Sequence, residues 1–133
     1  MTAYLLDTDT ASRLMRAESG TVTAMRRSGA TDIAVSTVTQ SELLYGARLR
    51  PDKPALMAAV RAFLTRVTVH TWDEAAAERH SDVRAVARAA GRAVGTFDIM
   101  IAAHARALGA TLVTSDKAIA NLAIAGLQMT KWR

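Results

Sequence analysis

Short apolar runs alternate along this chain with longer segments that have the features of helices. We predict strands at residues 4–6, 33–35, 68–72, 111–114 and 127–130. The runs are short and apolar on both faces, which is typical of parallel strands that are joined by helical crossovers and covered by helices. The pattern therefore predicts an α/β fold in which a central parallel sheet is flanked by helices on both faces.

Capping residues, glycines and prolines mark the ends of the helices between these strands. Thr8 or Asp9 is a candidate N-cap for the first helix, and Thr96 is one for the helix that Gly109 ends. Hydroxyls at 36, 37 and 39 can begin another helix. The predicted helices cover about residues 8–16, 20–28, 37–49, 54–67, 73–91, 96–108 and 117–123.

Composition limits the class of protein. With 133 residues, half of them hydrophobic, the chain is expected to form a single domain over 1–133 with a real core. The absence of cysteine excludes disulfides and thiolate metal sites. No signal peptide and no apolar run of about 18 residues is present, so we expect a cytoplasmic protein without a membrane span. The net charge of +5 mildly favours a polyanionic partner.

Four carboxylates stand in places where a solvated side chain is not expected. Asp7 and Asp116 directly follow the first and fourth predicted strands, and ligands of parallel sheets bind at that edge. Asp98 has almost only apolar neighbours. Glu42 shares a helical stripe with three apolar residues at 38, 45 and 49, which predicts that it faces the interior or a cleft.

Three of these acids also have a simpler interpretation. Asp116 can be an N-cap, Asp98 a residue that complements the helix dipole, and Glu42 one half of a buried salt bridge. Together, however, close carboxylates repel one another unless a divalent cation neutralises them. Because all are oxygen ligands, and neither cysteine nor clustered histidine is present, Mg²⁺ or Mn²⁺ is indicated rather than zinc.

The order of four motifs resembles the PIN-domain ribonucleases, and among them the VapC-type toxins of bacterial toxin–antitoxin pairs. These motifs are LLDTD at 5–9, SELLYG at 41–46, GTFDIMIAAHA at 95–105 and LVTSDKAI at 112–119, and the likeness runs from residue 4 to the terminal LQMTKW. The segment from Asp98 through the strand before Asp116 is the most specific part.

The resemblance implies that the four acids meet in one pocket and bind one or two Mg²⁺ or Mn²⁺ ions. It implies direct ligation by Asp7 and Asp98, and ligation by Glu42 and Asp116 either directly or through water. The Thr114 hydroxyl would orient a carboxylate or a water molecule beside the last acid. The implied reaction is RNA hydrolysis by activated water, which leaves 3′-hydroxyl and 5′-phosphate ends. A homodimer and an antitoxin that covers the active site are the implied partners.

Several other residues have open roles. Arg13, with Arg16, and the helical series Arg84 and Arg88 can bind RNA phosphates, or can be a solvated face. Asp9 stands where the family often has asparagine, as does the serine at 115; it is either a fifth acid of the pocket or a helix cap. The apolar side chains within 53–67 belong either to the core or to an oligomer interface.

Two other functions fit part of the sequence. A haloacid-dehalogenase-like phosphatase would use Asp7 as nucleophile and Asp9 as acid, but it lacks a second paired-acid motif and leaves Glu42 and Asp98 unexplained. A non-catalytic PIN-fold module would use the acidic pocket only to bind RNA or a basic partner. The four intact acids favour the nuclease.

Overall fold

A computed structural model describes residues 3–133 of the chain, so residues 1 and 2 of the predicted domain lie outside the described part. In chain order the elements are β1 (Tyr4–Leu6), α1 (Thr8–Met15), α2 (Ser19–Ser28), β2 (Ile33–Ser36), α3 (Thr37–Arg48), α4 (Pro54–Arg66), β3 (Thr68–His70), α5 (Glu74–Ala89), α6 (Thr96–Leu108), β4 (Thr111–Val113), α7 (Lys117–Ala120) and β5 (Gln128–Thr130).

The strands form one parallel sheet in the order β3-β2-β1-β4-β5, which confirms the predicted fold class. The chain starts in the middle, at β1, builds β2 and β3 on one side and then crosses to β4 on the other. Leu6 of β1 lies opposite Val113 of β4. The strand order changes direction between β1 and β4, and the carboxyl ends of such strands border a crevice where ligands bind.

Alternation along each strand sends side chains to two separate cores. Leu5 and its neighbours in β2 and β4 pack against α6, whereas Leu6 and the next residues of those strands pack against α1, α3 and α4. The first core contains Leu5, Ala34, Ile101, Ala102 and Leu112; the second contains Leu6, Ala11, Val35, Leu43, Val60, Phe63 and Val113. Both faces of the sheet are therefore covered.

Two of the predicted helix caps are wrong. The N-cap of α1 is Asp7 rather than Thr8 or Asp9, because Oδ1 of Asp7 accepts the backbone N–H of Thr10 at 2.8 Å. The N-cap of α6 is Gly95, and Thr96 is already the first helical residue. Gly95 is the cap because its backbone is the last that is not helical, although it has no side chain to accept a capping bond.

Two predicted elements are shorter in the structure. β3 ends at His70, since the N–H of Trp72 bonds to Oγ1 of Thr37 at 3.1 Å instead of to a strand. Helix α7 ends at Ala120, and Ala123 has a φ of 49°, which is incompatible with the predicted helix to 123.

The apolar side chains within 53–67, for which core and oligomer interface were both open, belong to the core as part of helix α4. Val60 and Phe63 are buried in the second core, and Leu56, Met57 and Leu64 pack against it. In the described part of the chain, no helix combines the length and the apolar character that a membrane crossing requires.

Candidate active site

Asp7 and Asp116 lie at the carboxyl ends of the two adjacent central strands. The N–H of Asp7 donates to the carbonyl oxygen of Val113 at 3.1 Å, which joins the two strand ends. Oδ1 of Asp116 accepts the N–H of Ala118 at 2.8 Å, so this residue is the N-cap of α7, as Asp7 is of α1. Among the described hydrogen bonds, each cap uses only Oδ1. Capping therefore orients these two carboxylates without using Oδ2.

Thr114 supports Asp116 through the backbone. Its Oγ1 accepts the N–H of Asp116 at 3.0 Å, and the side chain is buried. The resemblance implied that this hydroxyl orients a carboxylate or a water molecule. In the structure it fixes the turn that presents Asp116.

Asp98 occupies the first turn of α6, next to a glycine that makes room for it. A Cβ at Gly95 would lie 2.7 Å from Oδ2 of Asp98. The backbone of Gly95, with φ −57° and ψ 139°, suits any residue, so the glycine is needed for space and not for its dihedral angles. Gly95 was not among the residues predicted for the site, although a glycine three positions before a predicted metal ligand was an available signal.

Glu42 faces the cleft, although the apolar stripe that predicted this is buried only at Val38. Tyr45 and Leu49 are 63% and 59% exposed, and the buried row of α3 instead runs through Thr39, Leu43 and Ala47. Glu42 is half-buried at the edge of that row. Its Oε1 accepts a hydrogen bond of 2.5 Å from Oγ1 of Thr8. The predicted cleft position is therefore found, for a different packing reason.

A groove of about 540 Å³ lies between α1, α3 and α4, and of the four predicted acids Glu42 and Asp98 line it, whereas Asp7 and Asp116 do not. Much of its apolar lining comes from α3 and α4. The lining residues are Thr8, Asp9, Ser12, Met15, Arg16, Glu42, Leu43, Gly46, Ala47, Leu56, Val60 and Asp98. The site is thus open to a large substrate on one side.

Asp98 is close enough to the other three predicted acids to be repelled by each of them. Burial raises the pKa of Asp98 from its usual 3.8 to about 6, and the negative charges of Asp116, Asp7, Glu42 and Asp9 add to this effect. In the part of the chain that the structure describes, no lysine or arginine nitrogen lies within 4.0 Å of the four predicted acids. The salt-bridge alternative for Glu42 is therefore not found among these residues.

Asp9 is not the cap of α1; it is an exposed fifth acid that lines the groove, and its charge adds to the raised pKa of Asp98. Its Oδ2 lies 3.2 Å from Nε of Arg13, and its side chain is 61% exposed. This pair also engages Arg13, one of the predicted RNA-binding residues. Arg84 and Arg88 are exposed on α5 and do not line the groove, whereas Arg16 does.

The donor set suits a hard divalent cation, but the side chains do not form a closed cage. Carboxylate oxygens are the ligands that Mg²⁺ and Mn²⁺ prefer. Across residues 3–133, no three acidic or histidine side chains are placed closely enough to hold an ion. Direct ligation by three of the acids would therefore require rotation of side chains, and water ligands would complete a looser arrangement.

Sequence comparison identifies the family. The profile of the PIN domain matches residues 4–125, so the chain belongs to the PIN domain family. This membership removes the haloacid-dehalogenase-like phosphatase as an alternative, and the site agrees, because the proposed acid Asp9 is an exposed partner of Arg13.

Known relatives share the name VapC. The tRNA(fMet)-specific endonuclease VapC of Shigella flexneri is 39% identical over 84 residues, which are 63% of this chain and 64% of that protein. The protein of the same name from Salmonella typhimurium is 30% identical over 118 residues, covering 87% of this chain and 88% of that one. The crystal structure of DNA-bound VapBC from Salmonella typhimurium matches with a TM-score of 0.87 at 28% identity and covers 100% of both chains.

Proposed function

We propose that this chain is an endoribonuclease toxin of the VapC type, which hydrolyses RNA with the help of Mg²⁺ or Mn²⁺ in the bacterial cytoplasm. The observation that carries the proposal is the convergence of Asp7, Glu42, Asp98 and Asp116 at the carboxyl edge of a PIN-family sheet, with no basic side chain in the described chain to neutralise them. The VapC relatives support the choice of RNA as substrate.

Asp7 and Asp98 are the residues that we assign to hold the cation directly, and Glu42 and Asp116 are assigned to hold it directly or through water. Asp7 and Asp116 keep Oδ2 free of the capping bonds. When bound, a divalent ion lowers the pKa of water and offsets negative charge on the phosphoryl oxygens.

The protein's own groups supply the remaining functions. The caps at α1 and α7 fix two carboxylates before the substrate arrives, which lowers the cost of ordering the site. Glu42 or Asp116, where it holds the cation only through water, would accept the proton of the attacking water. The groove beside Glu42 and Asp98 receives the RNA strand, with Arg16 on its rim.

RNA cleavage by the purified, antitoxin-free chain tests the proposal. Total RNA and initiator tRNA are incubated with Mg²⁺, with Mn²⁺ and with chelator; the tRNA is included because two relatives are named for it. We expect cleavage with either cation and none with chelator. Asp98→Asn should abolish cleavage, whereas Asp82→Asn, which removes an exposed acid on α5, should cut like the wild type.

The end groups of the RNA products distinguish attack by water from attack by the RNA's own 2′-hydroxyl. Attack by water leaves 5′-phosphate and 3′-hydroxyl ends, which sequencing of the 5′ ends detects. Products with 2′,3′-cyclic phosphate would contradict water attack. Intact RNA in every condition would instead favour the non-catalytic PIN-fold module, which binds RNA or a partner through the same acids.

A cognate antitoxin is the proposed protein partner, since the Salmonella structure is a VapBC complex. We also propose a homodimer, for which the exposed Tyr45 and Leu49 of α3 offer an apolar surface. Light scattering of the isolated chain tests this. A monomer at micromolar concentration would contradict the homodimer, and Tyr45→Ser should weaken a dimer that uses α3.

A further inference from the structure

The hydroxyl of Thr8 connects two helices beside the acidic cluster. Thr8 is the first residue of α1 and directly follows Asp7. Its Oγ1 lies 2.5 Å from Oε1 of Glu42 and 3.2 Å from Oγ1 of Thr39. Thr39 is fully buried and stands three residues before Glu42 on α3. One hydroxyl therefore contacts a site carboxylate and a fixed point in the core.

The direction of these bonds follows from the number of protons. An ionised carboxylate can only accept, and a hydroxyl has one proton to donate. Thr8 therefore donates to Glu42, and its oxygen accepts from the hydroxyl of Thr39. A hydrogen bond to a charged acceptor is stronger than one between neutral groups. Thr39 thus donates to Thr8, and Thr8 donates to the carboxylate of Glu42.

Glu42 needs such a restraint more than Asp7 and Asp116 do. Asp7 and Asp116 are held by their own capping bonds. Glu42 has a longer side chain, is half-buried and is repelled by the carboxylate of Asp98, so without a restraint we expect it to turn into solvent. Among the described residues, its partner is the Thr8 hydroxyl, which leaves Oε2 unbonded.

We propose that Thr8 is a positioning residue, which holds Glu42 toward the cation, and that the buried Thr39 fixes Thr8. The inference rests on the proposed function. The cap of α1 is Asp7, so Thr8 is not the capping residue. Residues that hydrogen-bond a metal ligand orient it, and their loss costs about 10–100-fold in metal affinity or activity.

The experiment measures Mn²⁺ binding by titration calorimetry, together with RNA cleavage and thermal unfolding in chelator. Thr8→Val keeps the shape of the side chain and removes the hydroxyl; Thr8→Ser keeps the hydroxyl. We expect Thr8→Val to bind Mn²⁺ about tenfold more weakly and to cut RNA correspondingly slower, while retaining a cooperative unfolding transition. Thr8→Ser should bind Mn²⁺ like the wild type.

A double mutant shows whether the effect passes through Glu42. In a Glu42→Gln background, Thr8→Val should cause little further loss of Mn²⁺ affinity. Equal affinity of Thr8→Val and the wild type, or an undiminished loss in the Glu42→Gln background, would overturn this inference alone. A wild-type chain that binds no Mn²⁺ would overturn the proposed function and the inference with it.

Discussion

Nδ1 of His104 lies 2.8 Å from Oγ of Ser36, and both side chains are buried. Ser36 is the N-cap of α3, where its Oγ accepts the N–H of Val38 at 3.1 Å. His104 belongs to α6. The bond therefore links the start of the helix that carries Glu42 to the helix that carries Asp98. It helps to fix the distance between two acids of the site.

His104→Asn should destabilise the protein by about 1–3 kcal/mol at pH 7.5, because it weakens a buried hydrogen bond and leaves a cavity. The difference in unfolding free energy between the wild type and His104→Asn should become smaller as the pH falls. Burial lowers the pKa of His104 below its usual 6.5, the neighbouring His70 acts in the same direction, and Asp73 opposes both. Below pH 6.5, His104 therefore binds a proton in the unfolded chain before it does so in the folded chain. The stability of the wild type consequently falls as the pH falls.

Denaturant unfolding from pH 7.5 to 5 measures this difference for both chains. A gap between wild type and His104→Asn that stays constant over this range would show that His104 titrates normally in the folded state.

Asp98→Asn should stabilise the metal-free protein at pH 7.5 by about 1 kcal/mol after screening by solvent is allowed for. The folded pKa of about 6 exceeds the usual 3.8, so the wild type loses stability as the pH rises through this window, and the neutral asparagine does not. At pH 4 the two chains should be nearly equal, apart from the local effect of the amide. Thermal unfolding in chelator measures the difference.

Asp82→Asn is the control for charge alone, since Asp82 is exposed and pairs with Arg79. If it stabilised the chain as much as Asp98→Asn, the effect would reflect net charge and not the cluster.

Gly95→Ala should reduce RNA cleavage by about tenfold or more with little change in stability. The added Cβ would lie 2.7 Å from Oδ2 of Asp98, so the carboxylate must turn away, whereas the backbone angles tolerate alanine. Gly20→Ala, whose Cβ would meet only Arg133 at 3.9 Å, should cut normally. Full activity of Gly95→Ala would mean that the placement of Asp98 next to residue 95 is unimportant.

Thr114→Val should lower stability by about 1 kcal/mol and slow cleavage, because the N–H of Asp116 loses its acceptor. Thr114→Ser keeps the hydroxyl and should behave like the wild type in both assays. If Thr114→Val cleaved RNA as fast as the wild type, Thr114 would not be needed to position Asp116.

The strands and the parallel sheet could be predicted because buried strands leave a strong local signal, as Leu5–Leu6 and Leu112–Val113 do. The convergence of the acids could be predicted from Asp7 and Asp116, whose strand ends share one edge of the sheet. Both features follow from the local sequence and from the rule that the carboxyl ends of adjacent parallel strands share one edge.

Features that depend on contacts between distant segments could not be predicted. The Thr8–Glu42 bond joins residues 34 positions apart, and the exposure of Tyr45 depends on how α3 packs. Periodicity alone placed Tyr45 and Leu49 on the same face as Glu42 but could not say which face α4 would cover. The space that Gly95 leaves for Asp98 depends on side-chain placement at atomic detail.

The ionisation of Asp98 is the most direct test of the central claim that the carboxylates converge and that a divalent cation neutralises them. Carbon-13 NMR titration of the Asp98 carboxyl measures it in chelator and in Mg²⁺. We predict a pKa of about 6 without metal and a clear fall when Mg²⁺ is added, since the cation favours the charged form. A metal-free pKa near 3.8, unchanged by Mg²⁺, would contradict the account.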